Sequence, residues 1–114
     1  MTVDKVPLPD QLVEPEPQIH KAILNRNGSV KKGEFITQAQ AITERQNGNE
    51  VVVCGPILRK NRDLAQIIEK SANGTWKRCP PHANAGWNAL PHYQPDPRPP
   101  SGHTFYETDN RKAV

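Results

Sequence analysis

The chain has 114 residues, of which 34% are hydrophobic and only 5% are aromatic, and its formal net charge is +3. This length allows one domain with one modest core. The sequence contains no apolar run of about 18 residues, the length that spans a bilayer, so we expect no membrane insertion by this domain.

Charge and proline divide the chain into two regions. Residues 1–19 contain four prolines and four acidic residues against one lysine, whereas residues 20–114 carry 14 basic and 8 acidic residues. Proline holds a chain extended and removes hydrogen-bond donors, so we interpret residues 1–19 as a Pro-rich linker or an extended arm. Residues 20–114 are predicted to form a compact basic domain, and its charge favours polyanionic partners such as nucleic acid.

The first predicted helix follows a basic, turn-rich segment at 20–35. Thr37 and Gln40 have the spacing of a capping box, in which each side chain accepts a hydrogen bond from the other residue's backbone amide. An Asn-Gly pair after Gln46 favours a left-handed C-cap. The sequence therefore predicts a helix that begins after Thr37 and ends near Gln46.

A strand and a second helix come next. The run at 50–54 is short, β-branched and continuously apolar after its first residue, which is typical of a strand covered on both faces. Asn61 or Asp63 is predicted to cap a helix that continues to about Ala72. Four residues at helical spacing predict its buried face: Leu64, Ile67, Ile68 and Ser71.

Three more strand candidates complete the chain, at 75–79, 91–94 and 103–108, with a proline-rich loop at 95–101. The order of elements predicts an α+β fold, with two or three helices packed on a small, mainly antiparallel four-stranded sheet. The helix between the first two strands predicts that these two form a parallel pair.

Histidines concentrate in one stretch, Cys79–Tyr106, which contains His82, His92 and His103. Side chains alternate along a strand, so His103 and Phe105 are expected to share one face of the sheet. A core does not need three imidazoles so close in sequence. We therefore expect a site that transfers protons.

Paired histidines suit the cleavage of RNA. One neutral imidazole takes the proton of the 2′-hydroxyl, and one imidazolium protonates the 5′-oxygen that leaves. This chemistry requires no metal and no cofactor, but it needs cations for the phosphate and aromatic rings for the bases. The candidate substrate-binding residues are Lys77, Arg78, Trp87, Tyr93 and Arg98.

The run PPHANAGWNALPHYQPDPRPPSGHTFYE, at 80–107, resembles the C-terminal toxin domains of bacterial polymorphic toxin systems. A histidine-rich segment followed by a Gly-His-x-Phe-Tyr strand carries the likeness, which covers roughly residues 20–110. Many such toxins are ribonucleases of the barnase/EndoU-like group, in which two histidines carry protons and a Thr or Tyr contacts phosphate or base. The catalytic residues that the resemblance implies are His82 or His92, His103, Thr104 and Tyr106.

The same resemblance implies a biological setting. Such a domain acts on RNA, is delivered by a larger protein, and is blocked by a cognate immunity protein. We therefore expect a secreted or delivered effector that acts in the cytoplasm of a target cell.

A metal site is the main chemical alternative. Cys79 and His82 have the spacing of metal ligands, and His92 and His103 could complete a zinc site of a metal-dependent nuclease. Both cysteines, Cys54 and Cys79, are expected to be reduced.

Two further functions are consistent with the sequence. The first is a non-enzymatic basic module that binds RNA or protein, with the histidines as surface residues. The second is an ADP-ribosyltransferase-like role for His103, Tyr106 and Glu107.

Overall fold

The computed structural model describes residues 14–82, 86 and 88–114, and within them the chain forms two helices and six strands. In chain order the elements are β1 (Gln18–Leu24), β2 (Val30–Ile36), α1 (Gln38–Gln46), β3 (Val51–Cys54), α2 (Leu58–Asn73), β4 (Lys77–Cys79), β5 (His92–Gln94) and β6 (Thr104–Tyr106). Residues 1–13 of the predicted arm and the candidate base contact Trp87 lie outside the described residues.

The predicted α+β class is confirmed, but the sheet has six strands and not four. Its order is β2-β1-β3-β6-β5-β4. The only parallel neighbours in the described sheet are β3 and β6, and its other pairs are antiparallel. β3 and β4 run in the same direction, as the helix between them predicted, but β6 and β5 lie between them. The parallel neighbour of β3 is therefore β6, and the prediction that β3 pairs with β4 is wrong.

The hairpin of β1 and β2 is the part of the sheet that the sequence interpretation missed. The turn at Gly28 lies in the segment that was predicted to be turn-rich, and this glycine has a φ of 88°. In β2, however, only Val30 and Ile36 are buried, and the five residues between them are exposed. A strand without apolar alternation gives no periodic signal.

Helix α1 agrees with its prediction. The hydroxyl of Thr37 accepts a hydrogen bond from the Gln40 amide at 3.1 Å, and the Thr37 amide donates to Gln40 Oε1 at 2.8 Å. The helix ends at Gln46. Its buried residues are Ala41 and Arg45, so a charged side chain enters the core from this helix.

Helix α2 begins earlier than predicted, at Leu58, so the proposed caps Asn61 and Asp63 are wrong. Asn61 lies inside the helix and is buried. Its Nδ2 donates to the backbone oxygens of Gly55 at 2.9 Å and Glu107 at 3.0 Å. Asn61 therefore fastens α2 to the ends of β3 and β6 instead of starting a helix.

The buried face of α2 is also rotated from the predicted one. Ala65, Ile68 and Glu69 are fully buried, whereas Ile67 is 49% exposed. The helix thus brings a carboxylate into the core, toward the arginine that α1 supplies. Neither of the helices described here is both long and apolar enough to cross a membrane.

Both faces of the sheet are covered, by different parts of the chain. The helices cover one face, where the apolar cluster includes Ile36, Val51, Val53, Ala65, Ile68, Tyr93 and Tyr106. The loop before β5 and the C-terminal segment cover the other, where the cluster consists mainly of Val30, Val52, Cys54, Leu90 and Phe105. We call these the helix face and the loop face. Both cysteines are free thiols.

The last described residues before β1 pack against α2. Arg59 Nη2 lies 3.1 Å from Glu14 Oε1, and Lys60 Nζ lies 2.8 Å from Glu16 Oε2. Strand β1 then begins at Gln18 and pairs with β3. Glu14 and Glu16 therefore lie along the basic start of α2.

Candidate active site

The three predicted histidines form one cluster on the loop face. His92 opens β5, His103 directly precedes β6, and His82 follows β4. The ring centroids lie 4.6 Å apart for His92 and His103, 4.9 Å for His82 and His92, and 5.4 Å for His82 and His103. One nitrogen from each ring lies within 4.8 Å of the others. We call these three residues the histidine cluster.

Strand alternation explains how two of these rings meet. His92 pairs in register with Phe105 of the antiparallel strand β6, so their side chains share a face. The rings of His103 and Phe105 lie 5.0 Å apart, and those of His92 and Phe105 lie 5.4 Å apart. The expectation that His103 and Phe105 share a face is confirmed. The ring of Phe105 packs against both imidazoles.

Glu50 is a residue of this site that the sequence interpretation did not identify. The parallel register pairs Val51 with Thr104, so the residues just before them, Glu50 and His103, also lie side by side. The Nδ1 atom of His103 lies 2.9 Å from Glu50 Oε1. A carboxylate only accepts, so Nδ1 is the donor. Nε2 of the neutral ring is then left with its lone pair.

This contact also sets the charge of the carboxylate. Burial by itself raises the pKa of Glu50, but the hydrogen bond and the charge of His103 outweigh burial, and the net pKa lies below its ordinary value. Glu50 is therefore ionised at neutral pH and stabilises a positive charge on His103.

His92 is the buried member of the histidine cluster. Its side chain is 2% exposed, and its Nδ1 lies 3.4 Å from the backbone oxygen of Leu90. Burial, followed by the charge of His103, lowers the pKa of His92 to about 4. His92 is thus neutral at neutral pH, whereas His82 is the exposed member of the cluster.

Arg45 fixes the backbone on both sides of the Glu50–His103 pair. Its Nη1 donates to the backbone oxygens of Asn49 at 2.9 Å and Ser101 at 3.0 Å. These oxygens belong to the segments that lead into Glu50 and into His103. The sequence offered no signal for this role, because Arg45 stands in a polar helix turn. Only the tertiary packing identifies it.

Glycine is required at position 102 for Arg45 to reach the backbone oxygens of Asn49 and Ser101. Gly102 has a φ of +90°, which side-chain-bearing residues rarely adopt. A Cβ placed there would also collide with the Arg45 guanidinium and lie 2.5 Å from the backbone oxygen of Gly48. The Gly-His pair of the sequence motif thus combines a tight turn with the residue that the turn presents.

Thr104 lies on the opposite side of the sheet from the histidine cluster. It is fully buried, its hydroxyl donates to Glu69 Oε1 at 2.9 Å, and it accepts from Arg45 Nε at 3.1 Å. Tyr106 and Tyr93 are 5% and 3% exposed and belong to the core of the helix face. These three side chains were predicted to contact a phosphate or a base. Their burial makes them unavailable to a substrate at the cluster.

Glu107, the acidic residue of the ADP-ribosyltransferase-like role, is also engaged inside the fold. It is 7% exposed, and its carboxylate accepts from the amides of Gly55 at 3.2 Å and Ala113 at 2.9 Å. It therefore fastens the C-terminal segment, and it does not join the histidines.

The predicted cations divide between the two faces. Lys77 pairs in register with Gln94, and Cys79 with His92, so Lys77 lies on the loop face with the cluster. Arg98 donates to Gln94 Oε1 at 3.1 Å and to the backbone oxygen of Gly102 at 3.0 Å.

Arg78 lies on the other side of β4. It pairs in register with Tyr93, and together with Arg62 and Trp76 it lines a groove beside α2. Lys77 and Arg98 are therefore the predicted cations that accompany the histidine cluster, and Arg78 is separated from it by the sheet.

Cys79 does not complete the metal site that its spacing with His82 predicted. It lies beside His92 in the sheet register, but the group of closely spaced metal-binding side chains in the described residues consists of the three histidines. Three imidazole nitrogens are a donor set that fits zinc or a related transition metal. The cluster is thus compatible with proton transfer and with metal binding.

No protein-family model matches the chain, and comparison with curated proteins and with solved structures gives no match either.

Proposed function

We propose that this domain is a metal-independent endoribonuclease, with His103 and His82 as its proton carriers. The observation that carries the proposal is the pairing of an exposed imidazole, His82, with a second imidazole, His103, whose Nδ1 is held by Glu50. A carboxylate-supported imidazole is a general base, and an exposed imidazole beside it is available as the acid. The excess of basic residues in the domain favours a polyanionic substrate.

In the proposed reaction His103 is the base. Its Nε2 takes the proton of a ribose 2′-hydroxyl, and the ionised Glu50 stabilises the imidazolium that forms. The 2′-oxygen attacks the adjacent phosphorus, and the bond from phosphorus to the 5′-oxygen breaks. The imidazolium of His82 donates its proton to that oxygen. The products are a 2′,3′-cyclic phosphate and a 5′-hydroxyl.

His92 has a supporting role in this scheme. It is neutral and buried, and its ring stacks on His82 with an interplanar angle of 21°. It thereby fixes the exposed ring without adding a second positive charge. Lys77 and Arg98, which lie on the same face, are proposed to stabilise the phosphate as its charge builds up in the transition state.

The proposed setting is that of a nuclease toxin, and the sequence motif at 80–107 is its support. The partners proposed with it are an RNA substrate, a cognate immunity protein and a larger delivery protein, with action in the cytoplasm of a target cell. Expression of residues 1–114 inside bacteria is expected to arrest growth, and His103→Ala is expected to remove the arrest. Equal toxicity of the two proteins would contradict this setting.

Cleavage of RNA in the presence of EDTA tests the proposed chemistry. The wild-type domain is expected to cleave, and His103→Ala and His82→Ala are each expected to be slower by roughly 10²–10⁴-fold. His20→Ala is the matched control, because His20 is the histidine outside the cluster and contacts the backbone oxygen of Gly33.

Each outcome of this experiment separates one function from another. Cleavage that EDTA abolishes and Zn²⁺ restores would replace the proposal by metal-dependent hydrolysis at the same cluster. Tight RNA binding without cleavage would indicate a binding module. Cleavage that is unchanged in His103→Ala would place the chemistry elsewhere.

A further inference from the structure

We propose that His82, His92 and His103 also bind one divalent transition-metal ion of the zinc class, and that the bound ion suppresses RNA cleavage. The binding site stands on its own geometry, whereas the suppression rests on the function proposed above. The histidine cluster would then be both the proton-transfer site and the site at which metal regulates it.

The spacing of the donor atoms is the first argument. One nitrogen of each imidazole lies within 4.8 Å of the other two. A tetrahedral ion with nitrogen ligands at about 2.0–2.1 Å holds them about 3.4 Å apart. The three nitrogens therefore have to approach one another by at most about 1.4 Å to hold such an ion. His82 is exposed and follows the end of β4, so its side chain is able to make most of that movement.

The surroundings of the cluster are the second argument. A histidine that ligates a metal usually donates its other ring N–H to a carboxylate or a backbone oxygen, which orients the ring. His103 has this arrangement with Glu50 at 2.9 Å, and His92 lies 3.4 Å from the backbone oxygen of Leu90. Two of the three imidazoles are thus already oriented by outer partners in the way that metal ligands are.

The chemistry of the three donor atoms is the third argument. An imidazole ligates through a lone pair, so the neutral form binds. Three imidazoles and no thiolate favour Zn²⁺, Cu²⁺, Ni²⁺ and Co²⁺ over Mg²⁺ and Ca²⁺, which prefer oxygen ligands.

Suppression of RNA cleavage follows because the ion would bind the nitrogen lone pairs that acid–base catalysis needs. The lone pair of His103 Nε2 that would bind the ion is the lone pair that would accept the 2′-hydroxyl proton. The nitrogen of His82 that binds the ion is likewise unable to carry a proton to the leaving oxygen. A metal that occupies the histidine cluster therefore competes directly with acid–base catalysis.

Binding is tested first with the metal alone. The whole chain is stripped with EDTA, freed of chelator, and titrated with Co²⁺, whose visible absorption reports nitrogen ligation. We expect one Co²⁺ per chain, displaced by Zn²⁺. Affinity is expected to fall by at least about 10-fold in His82→Ala and by about 10–100-fold in Glu50→Gln, with no change in His20→Ala.

Two results would overturn the metal site. One is the absence of saturable Co²⁺ and Zn²⁺ binding up to about 1 mM. The other is binding of equal strength in wild type, His82→Ala and Glu50→Gln. His82 is exposed, so we expect the His82→Ala variant to fold. A circular dichroism spectrum that matches the wild type will show that it does.

RNA cleavage by the same samples tests the suppression. Stoichiometric Zn²⁺ is expected to inhibit the wild-type domain, and EDTA is expected to restore cleavage. Zn²⁺ that binds but accelerates cleavage would overturn the suppression and the metal-independent mechanism together. Zn²⁺ that fails to bind, with cleavage intact in EDTA, would overturn the metal site alone. A domain that binds Zn²⁺ and never cleaves RNA would keep the metal site and overturn the proposed function.

Discussion

Two groups of polar residues lie on opposite sides of strand β6, and they differ in their exposure to solvent. On the helix face, Arg45, Glu69 and Thr104 are each 0% exposed and bind one another. On the loop face, the histidine cluster runs from the buried His92 to the exposed His82. Residues that are neighbours in sequence, His103 and Thr104, thus belong to different chemical environments. Their position on a strand is the reason.

Each group contains an ion pair, and the two pairs differ in how far solvent reaches their side chains. Arg45 Nε contacts Glu69 Oε1 at 2.9 Å, and both side chains are sealed inside the protein. Glu50 and His103 form a similar carboxylate contact, but their side chains remain 25% and 13% exposed. A sealed ion pair holds elements together, whereas a pair that solvent reaches is available to a substrate. We therefore infer a structural role for Arg45, Glu69 and Thr104. For Glu50 and the histidine cluster we propose a catalytic role.

The largest expected effect comes from neutralising the sealed pair. Glu69→Gln leaves Arg45 charged and buried, and loss of one partner of such a pair costs about 3–5 kcal/mol. We expect the free energy of unfolding in urea to fall by that amount. A change below about 1 kcal/mol would show that the helix-face group does not hold the fold in the way we describe.

The same substitution on the loop face is expected to act on rate. Glu50→Gln removes the negative charge that stabilises the imidazolium of His103, and we expect RNA cleavage to slow by at least about 10²-fold. That factor corresponds to about 2.7 kcal/mol in the barrier. Steady-state cleavage and urea unfolding of one sample measure both quantities. Equal losses of stability in Glu50→Gln and Glu69→Gln would erase the contrast between the faces.

Thr104→Val gives a smaller effect and tests the assignment of Thr104. The substitution keeps the shape of the side chain but removes the hydroxyl that binds Glu69 and Arg45. We expect a loss of about 1–3 kcal/mol in stability and an unchanged cleavage rate per folded molecule. A large loss of rate with wild-type stability would instead support the phosphate contact that the sequence motif predicted.

The cysteines give the smallest effect and map how the loop face is covered. Burial, and then the charge of Glu107, raises the pKa of Cys54 to about 12. Below that pH its thiol stays protonated and unreactive. Cys79 is partly exposed at the end of β4. Iodoacetamide at pH 8 is therefore expected to label Cys79 rapidly and Cys54 only after unfolding, as mass spectrometry of the peptides will show. Rapid labelling of Cys54 would mean that the C-terminal segment opens readily.

Local rules predicted the parts of the fold that depend on neighbours in sequence. The Thr37–Gln40 capping box and the alternation of His103 and Phe105 both follow from backbone geometry that a short segment determines. Strand β2 could not be predicted in this way, since its exposed charges hide the period of a strand. The start of α2 was misplaced because Asn61, a good cap in isolation, serves the ends of two strands instead.

The candidate site was predictable only in part, for the same reason. Three histidines in one stretch indicated proton-transfer chemistry. Glu50, about fifty residues away in sequence, joins His103 only because β3 and β6 are parallel neighbours in register. Arg45 joins them from helix α1, through its hydrogen bonds to the backbone oxygens of Asn49 and Ser101. Contacts between distant segments depend on the strand order, which local patterns do not contain.

The most direct test of the central claim is the chemistry of the cut ends, because each mechanism uses a different nucleophile. The domain, in EDTA, is given an RNA oligonucleotide and the same oligonucleotide with 2′-deoxyribose on the 5′ side of its cleaved bond. If His103 activates the 2′-hydroxyl, the RNA yields a 2′,3′-cyclic phosphate and a 5′-hydroxyl, and the substituted strand stays intact at that bond. Cleavage of the substituted strand there, or a 5′-phosphate on the product, would contradict the account.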